Sequence, residues 1–422
     1  MELSEILQKR KNSKRFFKKA YYTYISRRRE ILRDLDLNEL KKTIRRIRED
    51  SIKNVFELKE KAVENLEKNG VKVFEAKDSK EALRILEKII PEGELLVKSK
   101  SNVIKEIGFE ERFYKRNKVV ETDCGDFIVQ ICGESSSHPV TPALHIPLEK
   151  VVKAIRRRFR VRLKPEPEEI VSFVKNYIRR KIFEAKYGLT GANVITSDGF
   201  IVIIENEGNI SLVSKIPNKH IIVASIDKIV KNLDDAILIS KVLSFYGTGS
   251  KSTSYINIIS SLSKTADLQK KIVYGVHGPE EVYLVLVDNG RSKIVNTDLE
   301  EILYCIGCGA CLYSCPIYRQ VFERYGKDYI GGIGVLKTFM IEGIEQTFNS
   351  GLYFCNLCGS CKEVCPVSLD VPGIVRKIRE ISVKSGYETK TNSEMVENVE
   401  IFGNPFGKSS KNGEVQEKLY CC

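Results

Sequence analysis

Two cysteine-rich stretches constrain the fold of this chain more than any other feature. The first reads "CIGCGACLYSCP" at residues 305–316 and the second reads "CNLCGSCKEVCP" at residues 355–366. Each places three cysteines at every third position, a fourth cysteine four residues later, and a proline directly after it. Because the two stretches share one pattern, they form an internal repeat.

This spacing indicates iron–sulfur ligation. A C-x2-C-x2-C run wraps a loop around a cubane of four irons and four sulfides, and the remaining cysteine ligates the other cluster in two-cluster ferredoxins. We therefore predict two [4Fe-4S] clusters. The first is ligated by Cys305, Cys308, Cys311 and Cys365, and the second by Cys355, Cys358, Cys361 and Cys315. Paired C-x2-C motifs also occur in tetrahedral zinc sites, but eight cysteines in two matched runs favour the clusters.

Four further cysteines lie outside these motifs. Cys124 and Cys132 are an even number of residues apart around "FIVQI", which predicts that they lie on one face of a strand as buried small side chains. Cys421 and Cys422 end the chain in a polar segment, and the sequence assigns them no role.

Composition limits the compartment and the class of protein. The chain has 422 residues, 42% hydrophobic and 30% charged, which is typical of a soluble protein with two or three domains. It contains no apolar run near the roughly 20 residues of a membrane-spanning helix, and its N-terminus does not resemble a secretory signal. We therefore predict a cytoplasmic location, where reducing conditions favour metal ligation over disulfides.

The N-terminal segment is strongly basic. Residues 1–50 contain 16 Lys and Arg against 8 Asp and Glu. Leu32, Leu35, Leu40, Ile44 and Ile47 recur at roughly helical spacing, which favours solvated or partner-facing helices. The alternative is that the positive charge binds nucleic acid or an anionic membrane surface.

Changes in periodicity divide the chain into four parts. Residues 1–64 form the basic helical segment, and residues 65–295 alternate strand and helix patterns, which predicts an α/β domain. The predicted strands include "ELLVKSKS", "FIVQICG", "KHIIVASI" and "EVYLVLV", and Asp198-Gly199 marks a hairpin. Residues 296–385 form a mainly helical two-cluster module, and residues 386–422 are predicted to be a flexible polar tail.

Polar residues at the turns of the α/β domain are the candidates for binding a substrate, because loops at strand ends commonly carry sites. The substrate-binding candidates are Asn193, Glu207, Asn209, Asp288, Asn289 and Arg291. Arg291 could hold a carboxylate, and Glu207 and His145 are weak catalytic candidates. The same residue types also form turns for backbone reasons, and we favour that alternative for each of them singly.

Other cofactor motifs are not found. No G-x-G-x-x-G follows a strand, so the sequence predicts neither a flavin nor a nicotinamide site. The stretch "YGTGSKSTSY" at residues 246–255 lacks the Gly-Lys pair of a phosphate-binding loop, which favours an ordinary flexible loop. His138 and His145 are more typical of hydrogen-bonded histidines than of metal ligands.

The order of motifs resembles the lactate-utilisation iron–sulfur protein family, in which a LUD domain is fused to a di-[4Fe-4S] ferredoxin module. The matching stretches are "KSKSNVIKEIGF", "VVETDCGDFIVQICGESSSHPVTPALHIP", "IRRKIFEAKYGLTGANVITSDGFIVIIENEGN", "HGPEEVYLVLVDNGRS" and both cysteine motifs. The resemblance implies an α/β LUD domain similar to the sugar-phosphate isomerase and CoA-transferase superfamily. It further implies N-terminal helices before that domain and an α-helical ferredoxin-like module after it.

The same resemblance implies a function. It is that of the iron–sulfur electron-transfer subunit of a cytoplasmic complex that oxidises L-lactate to pyruvate with other, separately encoded subunits. Since each cluster takes one electron and the oxidation releases two, another group must break the C–H bond, which leaves open whether this chain is itself the enzyme. The alternatives are a general electron-transfer subunit of a heterodisulfide-reductase-like complex and, less favoured, a redox-sensing nucleic-acid-binding protein.

Overall fold

A computed structural model describes residues 11–33 and 35–407 of the chain, and the side chains from residue 21 onward together with Lys18. Three helices come first: α1 (Lys11–Leu32), α2 (Leu37–Lys53) and α3 (Val55–Lys68). Helix α2 begins where the Asp36 carboxylate accepts hydrogen bonds from the backbone N–H groups of Asn38 and Glu39. Its apolar stripe, which includes Ile44 and Ile52, is fully buried, so this basic helix is part of the core.

Strands and helices then alternate through the middle of the chain. The strands are β1 (Lys72–Ala76), β2 (Leu95–Lys98), β3 (Lys118–Glu121), β4 (Tyr187–Thr190), β5 (Val194–Thr196), β6 (Ile201–Glu205), β7 (Lys219–Ser225), β8 (Ile229–Val230), β9 (Tyr255–Ile259), β10 (Lys264–Thr265), β11 (Val273–Tyr274) and β12 (Glu281–Val287). The helices among them are α4 (Ser79–Ile89), α5 (Asn102–Glu106), α6 (Phe109–Arg116), α7 (Cys124–Cys132), α8 (Leu148–Phe159), α9 (Pro167–Glu184), α10 (Asn209–Val213) and α11 (Leu233–Gly247).

Six of these strands form one parallel sheet in the order β1-β12-β7-β4-β2-β3. β2 and β4 are neighbours in the middle of this order. The next strand of the sheet after β2 in the chain, β3, lies at one edge, whereas the next one after β4, β7, lies on the opposite side. The strand order therefore reverses between β2 and β4, and in open α/β sheets such a reversal opens a crevice at the carboxyl ends of the strands. The loops at residues 99–101 and 191–193 border this crevice.

Alternation along the strands gives each face of the sheet its own core. Ile221, Val223 and Val285 pack with α4, α5 and α6 on one face. Ile222 and Leu284 pack on the other face with α3 and with β5, β6 and β8 of a smaller sheet. That sheet has the order β8-β5-β6-β9, and β10 pairs with β11 in a separate hairpin. The predicted hairpin at Asp198-Gly199 is confirmed, since β5 and β6 are antiparallel neighbours around it.

The C-terminal module is helical. Its helices are α12 (Ala310–Ser314), α13 (Tyr318–Val321), α14 (Gly332–Glu342), α15 (Ile344–Asn349), α16 (Ser360–Val364), α17 (Val371–Lys384) and α18 (Lys390–Phe402). Short 3-10 segments lie at Ile226–Lys228, Glu300–Tyr304, Phe322–Arg324 and Leu352–Phe354. One apolar cluster joins this module to α1, α2 and α11, from Tyr24 and Ile44 to Leu336 and Ile378.

Two sequence predictions are wrong. The stretch with Cys124 and Cys132 is helix α7 and not a strand, because Asp123 caps it and because Phe127 and Ile131, four residues apart, are its buried side chains. The segment from residue 386 is helical over Lys390–Phe402, where Thr389 caps α18, rather than an irregular tail. Cys421 and Cys422 lie outside the described residues.

Some basic residues of α2 contact other parts of the protein. Arg45 forms ion pairs with Glu49 and Glu301 at 2.7 and 2.9 Å, and the Lys41 ammonium donates to the Glu363 carbonyl at 2.6 Å. This helix therefore serves as a support for the C-terminal module, a role that the predicted solvated helix did not include. In the described part of the chain, no helix combines the length and apolar character needed to cross a membrane.

Candidate functional site at the cysteine quartets and the adjoining cavity

The structure gathers the eight motif cysteines into two neighbouring groups of four. Burial raises the pKa of the Cys308 and Cys311 thiols, and the neighbouring Cys305 and Cys365 raise both further. Burial likewise raises the pKa of Cys361 to about 12, and its neighbours are Cys355, Cys315 and Cys358. The last cysteine of each motif thus lies with the first three of the other motif. Quartet 1 denotes Cys305, Cys308, Cys311 and Cys365, and quartet 2 denotes Cys355, Cys358, Cys361 and Cys315.

The repeat in sequence is also a repeat in conformation. Helices α12 and α16 begin directly after Gly309 and Gly359, whose φ angles are 74° and 81°. Both glycines therefore occupy the left-handed region that non-glycine residues avoid. Each short helix then carries its motif's fourth cysteine away from the loop that holds the first three, and α12 packs against α16. This exchange places the two quartets side by side.

The chemistry around the quartets fits iron–sulfur clusters. Backbone N–H groups of Tyr318 and Ile317 point at Cys315, those of Val367 and Leu369 point at Cys365, and that of Ala310 points at Cys308. Such N–H···S contacts stabilise the negative charge of iron-bound thiolates. Among the described residues, no three Cys, His, Asp or Glu side chains are placed to hold a single metal ion.

Arg48 supplies an independent test of this fit. Its side chain is 2% exposed, and its guanidinium donates only to the backbone carbonyls of Tyr304, Asp227 and Leu303. Burial lowers the pKa of Arg48, while Asp227 and Cys305 counter that effect. A buried cation without a hydrogen-bonded carboxylate needs negative charge nearby, and a thiolate-ligated cluster at quartet 1 would provide it.

The two quartets differ in their charged surroundings. The electrostatic neighbours of quartet 1 include Arg28, Lys41, Arg48 and Lys228. Quartet 2 is bordered by Tyr325, which is hydrogen-bonded to Cys355, and by the N–H groups of Tyr318 and Ile317 at Cys315. Positive charge next to a cluster favours its reduced form, so a cluster held by quartet 1 would have the more stabilised reduced form.

A cavity of about 1260 Å³ joins quartet 1 to the α/β domain. One wall is the loop of Cys305, Gly307 and Cys308, and another is formed by Tyr329 and Lys337 of the C-terminal module. The α/β domain contributes residues 98–101 and 191–193, at the ends of the parallel strands β2 and β4, together with Lys228 after β7 and residues 205–210 at the end of β6 in the smaller sheet. The cavity therefore includes the crevice at the reversal of strand order, where small molecules bind in this class of sheet.

Close approach of two loops shapes this crevice. A Cβ atom on Gly191 would lie 2.5 Å from the Ser101 hydroxyl, so only glycine fits between the loops after β2 and β4. The neighbouring Ser99 is fully buried, and its hydroxyl has no hydrogen-bond partner among the described residues. The Ser99 hydroxyl is therefore available to form a hydrogen bond with a molecule bound in the crevice.

Ionisable groups gather at the end of the cavity near β3. The Lys98 ammonium pairs with the Glu121 carboxylate at 2.7 Å, and both side chains are buried. Lys100 pairs with Asp123 at 3.2 Å. Burial raises the pKa of Asp126 to about 7, with further increases from Asp123 and Glu121 that Lys100 opposes. A carboxyl group that titrates near neutral pH can accept or donate a proton in catalysis.

Three predicted substrate-binding residues line this cavity: Asn193, Glu207 and Asn209. Each also has a structural partner. Asn193 accepts from the Ile204 N–H at 2.9 Å, Asn209 donates to the Thr122 hydroxyl at 3.1 Å, and Glu207 accepts from the Cys124 N–H at 3.0 Å. Burial raises the pKa of Glu207, with Asp123 the next cause. These residues line the cavity and also hold local structure through these hydrogen bonds, so their role in binding a substrate stays a prediction.

The other three lie elsewhere, and the prediction for Arg291 is corrected. Its guanidinium is fully buried and saturated by Glu106, at 2.7 Å on two nitrogens, and by Asp227 at 2.6 Å. Asn289 donates to the same Glu106, and Asp288 accepts from the N–H and hydroxyl of Ser292. The "DNGR" turn is therefore held inside the α/β domain by Glu106 and Asp227, and the fully buried Arg291 guanidinium is not exposed to a substrate.

The histidines are also structural in their surroundings. His138 is 1% exposed, accepts hydrogen bonds from the N–H groups of Val140 and Thr141, and packs on the ring of Tyr313. Burial lowers the pKa of His138 to about 3, and Lys100 contributes in the same direction. His145 lies 4.0 Å from Glu134 and is not part of the cavity lining. The predicted catalytic role of His145 therefore gains no support from its position.

Comparison with known proteins assigns the two halves. Residues 59–287 match the model of the LUD domain, and residues 301–369 match that of the 4Fe-4S dicluster domain. Lactate utilization protein B of Bacillus licheniformis is 34% identical over 362 residues, which cover 84% of this chain and 74% of that protein. The protein of the same name from Bacillus subtilis is 35% identical over 340 residues, 79% and 69% of the two chains. This chain belongs to the lactate utilization protein B family.

Among solved structures, a DUF162 family protein from Deinococcus radiodurans is similar to this member of the lactate utilization protein B family. It shares 13% identity, covers 55% of this chain and 98% of its own, and has a TM-score of 0.31.

Several cavity residues of this family member were missed from sequence. Ser99 and Lys100 directly follow a strand, a position that could have drawn attention to them. Asp126 was hidden because its segment resembles a strand. Lys228 and Lys337 gave no signal, since single lysines are common on surfaces and nothing local shows that these two meet in one cavity.

Proposed function

We propose that this chain is the iron–sulfur electron-transfer subunit of a system that oxidises L-lactate to pyruvate. The observation that carries the proposal is the pair of exchanged cysteine quartets, one of which borders the cavity at the carboxyl edge of the LUD sheet. Membership of the lactate utilization protein B family, in which curated relatives carry that name, supports the choice of substrate.

In this proposal, quartets 1 and 2 each hold one [4Fe-4S] cluster, and each cluster takes up and releases one electron at a time. Groups around the two quartets would adjust the reduction potentials of the clusters. Backbone N–H groups at Cys315 and Cys365 lessen the negative charge on the sulfurs, and Arg48, Lys41 and Arg28 favour the reduced form at quartet 1. The exchange of ligands between motifs keeps the two clusters adjacent, so that electrons can pass in sequence.

The chain would act with further subunits. Lactate oxidation removes two electrons and two protons, whereas each cluster handles a single electron, so the relay must connect to a hydride- or proton-accepting step and to a terminal acceptor. Asp126 and Glu207, both with a raised pKa at the cavity, are the groups of this chain best suited to receive protons.

Anaerobic purification with the co-purifying subunits tests the proposal. The chain is expected to contain about eight irons and eight sulfides, and its visible absorption is expected to bleach when lactate is added to the complex. The Cys305→Ser variant is expected to lose both iron and lactate-dependent bleaching, whereas Cys132→Ser retains both. Zinc in place of iron, or bleaching by dithionite but never by lactate, would refute the assignment.

A further inference from the structure

Two lysines from the two halves of the molecule meet inside the cavity. Lys228 follows β7 at the carboxyl edge of the sheet, and Lys337 lies on α14 of the dicluster module. Both line the cavity, and each is an electrostatic neighbour of Asp227. Their charges also oppose each other, since Lys337 is among the groups that lower the pKa of Lys228. Holding two like charges together is unfavourable unless an anion lies between or beside them.

The protein itself does not supply that anion. Among the described residues, neither ammonium group donates a hydrogen bond or forms an ion pair, and Lys337 instead lies 4.2 Å from the centre of the Tyr329 ring. The nearby carboxylates are already engaged, because Asp227 and Glu106 both bind Arg291 at 2.6–2.7 Å. Arg48, Arg291, Lys228 and Lys337 therefore place four positive charges near the two carboxylates of Asp227 and Glu106.

A cluster at quartet 1 would have to balance both this excess and the charge of two further cations, Arg28 and Lys41. A thiolate-ligated [4Fe-4S] cluster has a net charge of about two negative units. Arg28 and Lys41 also neighbour quartet 1, through Cys308 and Cys365, while Arg48 lies by Cys305. Cations thus surround the cluster position on several sides, and positive charge remains in the cavity for a second, diffusible anion.

The position of Lys228 sets where such an anion would lie. Its ammonium nitrogen is 3.8 Å from the place where a Cβ atom of Gly307 would be, so it faces the loop between Cys305 and Cys308. Gly307 has a φ of 80° and no side chain to fill this space. An anion held by Lys228 would therefore lie beside quartet 1. The unpartnered hydroxyl of Ser99 lines the same cavity.

We propose that Lys228 and Lys337 bind the carboxylate of a small 2-hydroxy or 2-oxo acid in this cavity, beside the loop of quartet 1. The choice of acid rests on the proposed function, whereas the anion site rests on the two lysines. Binding here would place the substrate or product on this chain rather than only on a partner subunit. Ammonium groups suit this task because each can donate several hydrogen bonds to a carboxylate.

The test measures binding of radiolabelled lactate and pyruvate to the anaerobic full-length holoprotein by equilibrium dialysis. Saturable binding is expected in the wild type, and lactamide, which lacks the charge, is expected not to compete. Lys228→Gln and Lys337→Gln are each expected to weaken binding at least about tenfold. Lys337→Arg retains the charge and should retain most of the affinity. Lys80→Gln, an exposed lysine on α4 outside the cavity, is the matched control and should bind as the wild type does.

Iron content and cluster potentials measured on the same samples separate the ways of failing. Wild-type protein with about eight irons that binds neither acid would overturn the site and leave the proposed function intact. Glutamine variants that bind normally but show a lower potential at one cluster would show that the lysines serve the cluster alone, which also overturns the site. Wild-type protein without iron–sulfur clusters would refute the proposed function, while the dialysis result would still decide the anion site. Should Lys228→Gln fail to fold, Lys337→Gln and Lys337→Arg decide the question.

Discussion

The role of a buried charged residue in this molecule depends on whether a carboxylate of the protein is hydrogen-bonded to it. Arg291 and Arg48 are both buried arginines, yet Arg291 is held by two carboxylates and Arg48 only by backbone carbonyls. The first is therefore part of the framework, whereas the second needs an external negative charge.

Lys41 offers a mild way to test the electrostatics of quartet 1. It is only partly buried and neighbours Cys365, so Lys41→Gln removes one positive charge there, together with the hydrogen bond to the Glu363 carbonyl. We expect the midpoint potential of the cluster at quartet 1 to fall by roughly tens of millivolts, because the reduced form loses a stabilising charge. Redox titration followed by electron paramagnetic resonance measures this.

The neighbouring Lys42→Gln is the control for that experiment. Lys42 lies on the same helix but is exposed, so solvent screens its charge and the potential should stay unchanged. Equal shifts in both variants, or a shift at quartet 2 instead, would contradict the assignment of Lys41 to quartet 1.

Arg291 is expected to matter for stability and not for substrate affinity. Arg291→Met leaves the buried carboxylates of Glu106 and Asp227 without their partner, which should lower the free energy of unfolding by about 3–5 kcal/mol. Urea unfolding followed by circular dichroism provides the measurement. The double variant with Glu106→Gln should recover part of the loss, and a variant as stable as the wild type would show that the ion pairs contribute little.

At the scale of elements, the short helices α12 and α16 decide which cysteines lie together in each quartet. Each begins at a glycine with a left-handed backbone and ends next to its motif's fourth cysteine. Because the helices are so short, the fourth thiol is carried out of its own loop and toward the neighbouring loop. Each quartet therefore needs both copies of the repeat, and neither copy forms a complete site by itself.

Serine variants of the two exchanged cysteines test this pairing. Cys365→Ser should reduce the occupancy of the cluster at quartet 1, and Cys315→Ser that of the cluster at quartet 2, because each quartet loses one thiolate. Each variant should lose up to about four of about eight irons. Paramagnetic resonance of the reduced protein should show a different cluster signal surviving in each. The same signal surviving in both variants would contradict the exchange of ligands.

At the scale of the whole molecule, the N-terminal helices and the dicluster module share one core. That core runs from Tyr24 on α1 and Ile44 on α2 to Ile378 on α17. The LUD sheet contacts this core through α11 and the smaller sheet. Cluster binding and the packing of α1 and α2 should therefore be coupled, although they are far apart in sequence.

Ile44→Ala tests this coupling. Ile44 is fully buried, so its truncation should lower the free energy of unfolding by about 2–5 kcal/mol and make the clusters more labile to chelators. Chelator-induced loss of visible absorption and thermal unfolding measure the two effects. Val399→Ala, with 48% of that side chain exposed on α18, is the control and should change neither. Normal cluster retention in a destabilised Ile44 variant would show that the two regions are independent.

The sequence alone determined the local features: the two cysteine motifs, the strands β2, β7 and β12, the hairpin at Asp198-Gly199 and the change of character before residue 300. These depend on spacings of a few residues, which the backbone geometry of a loop or strand fixes directly. It misjudged α7, because a short apolar run suits both a strand and a buried helix. It also misjudged α18, because a polar composition does not exclude a helix.

Only the tertiary structure decided what meets in the cavity. Lys228 and Lys337 lie on different halves of the chain, and the order of strands and the packing of α14 bring them together beside quartet 1. The same packing encloses Arg291 in the interior, although its turn looked like a binding loop. Contacts of this kind depend on which elements pack next to each other. The free energy that favours this packing comes from the whole core, so no single stretch of the sequence predicts it.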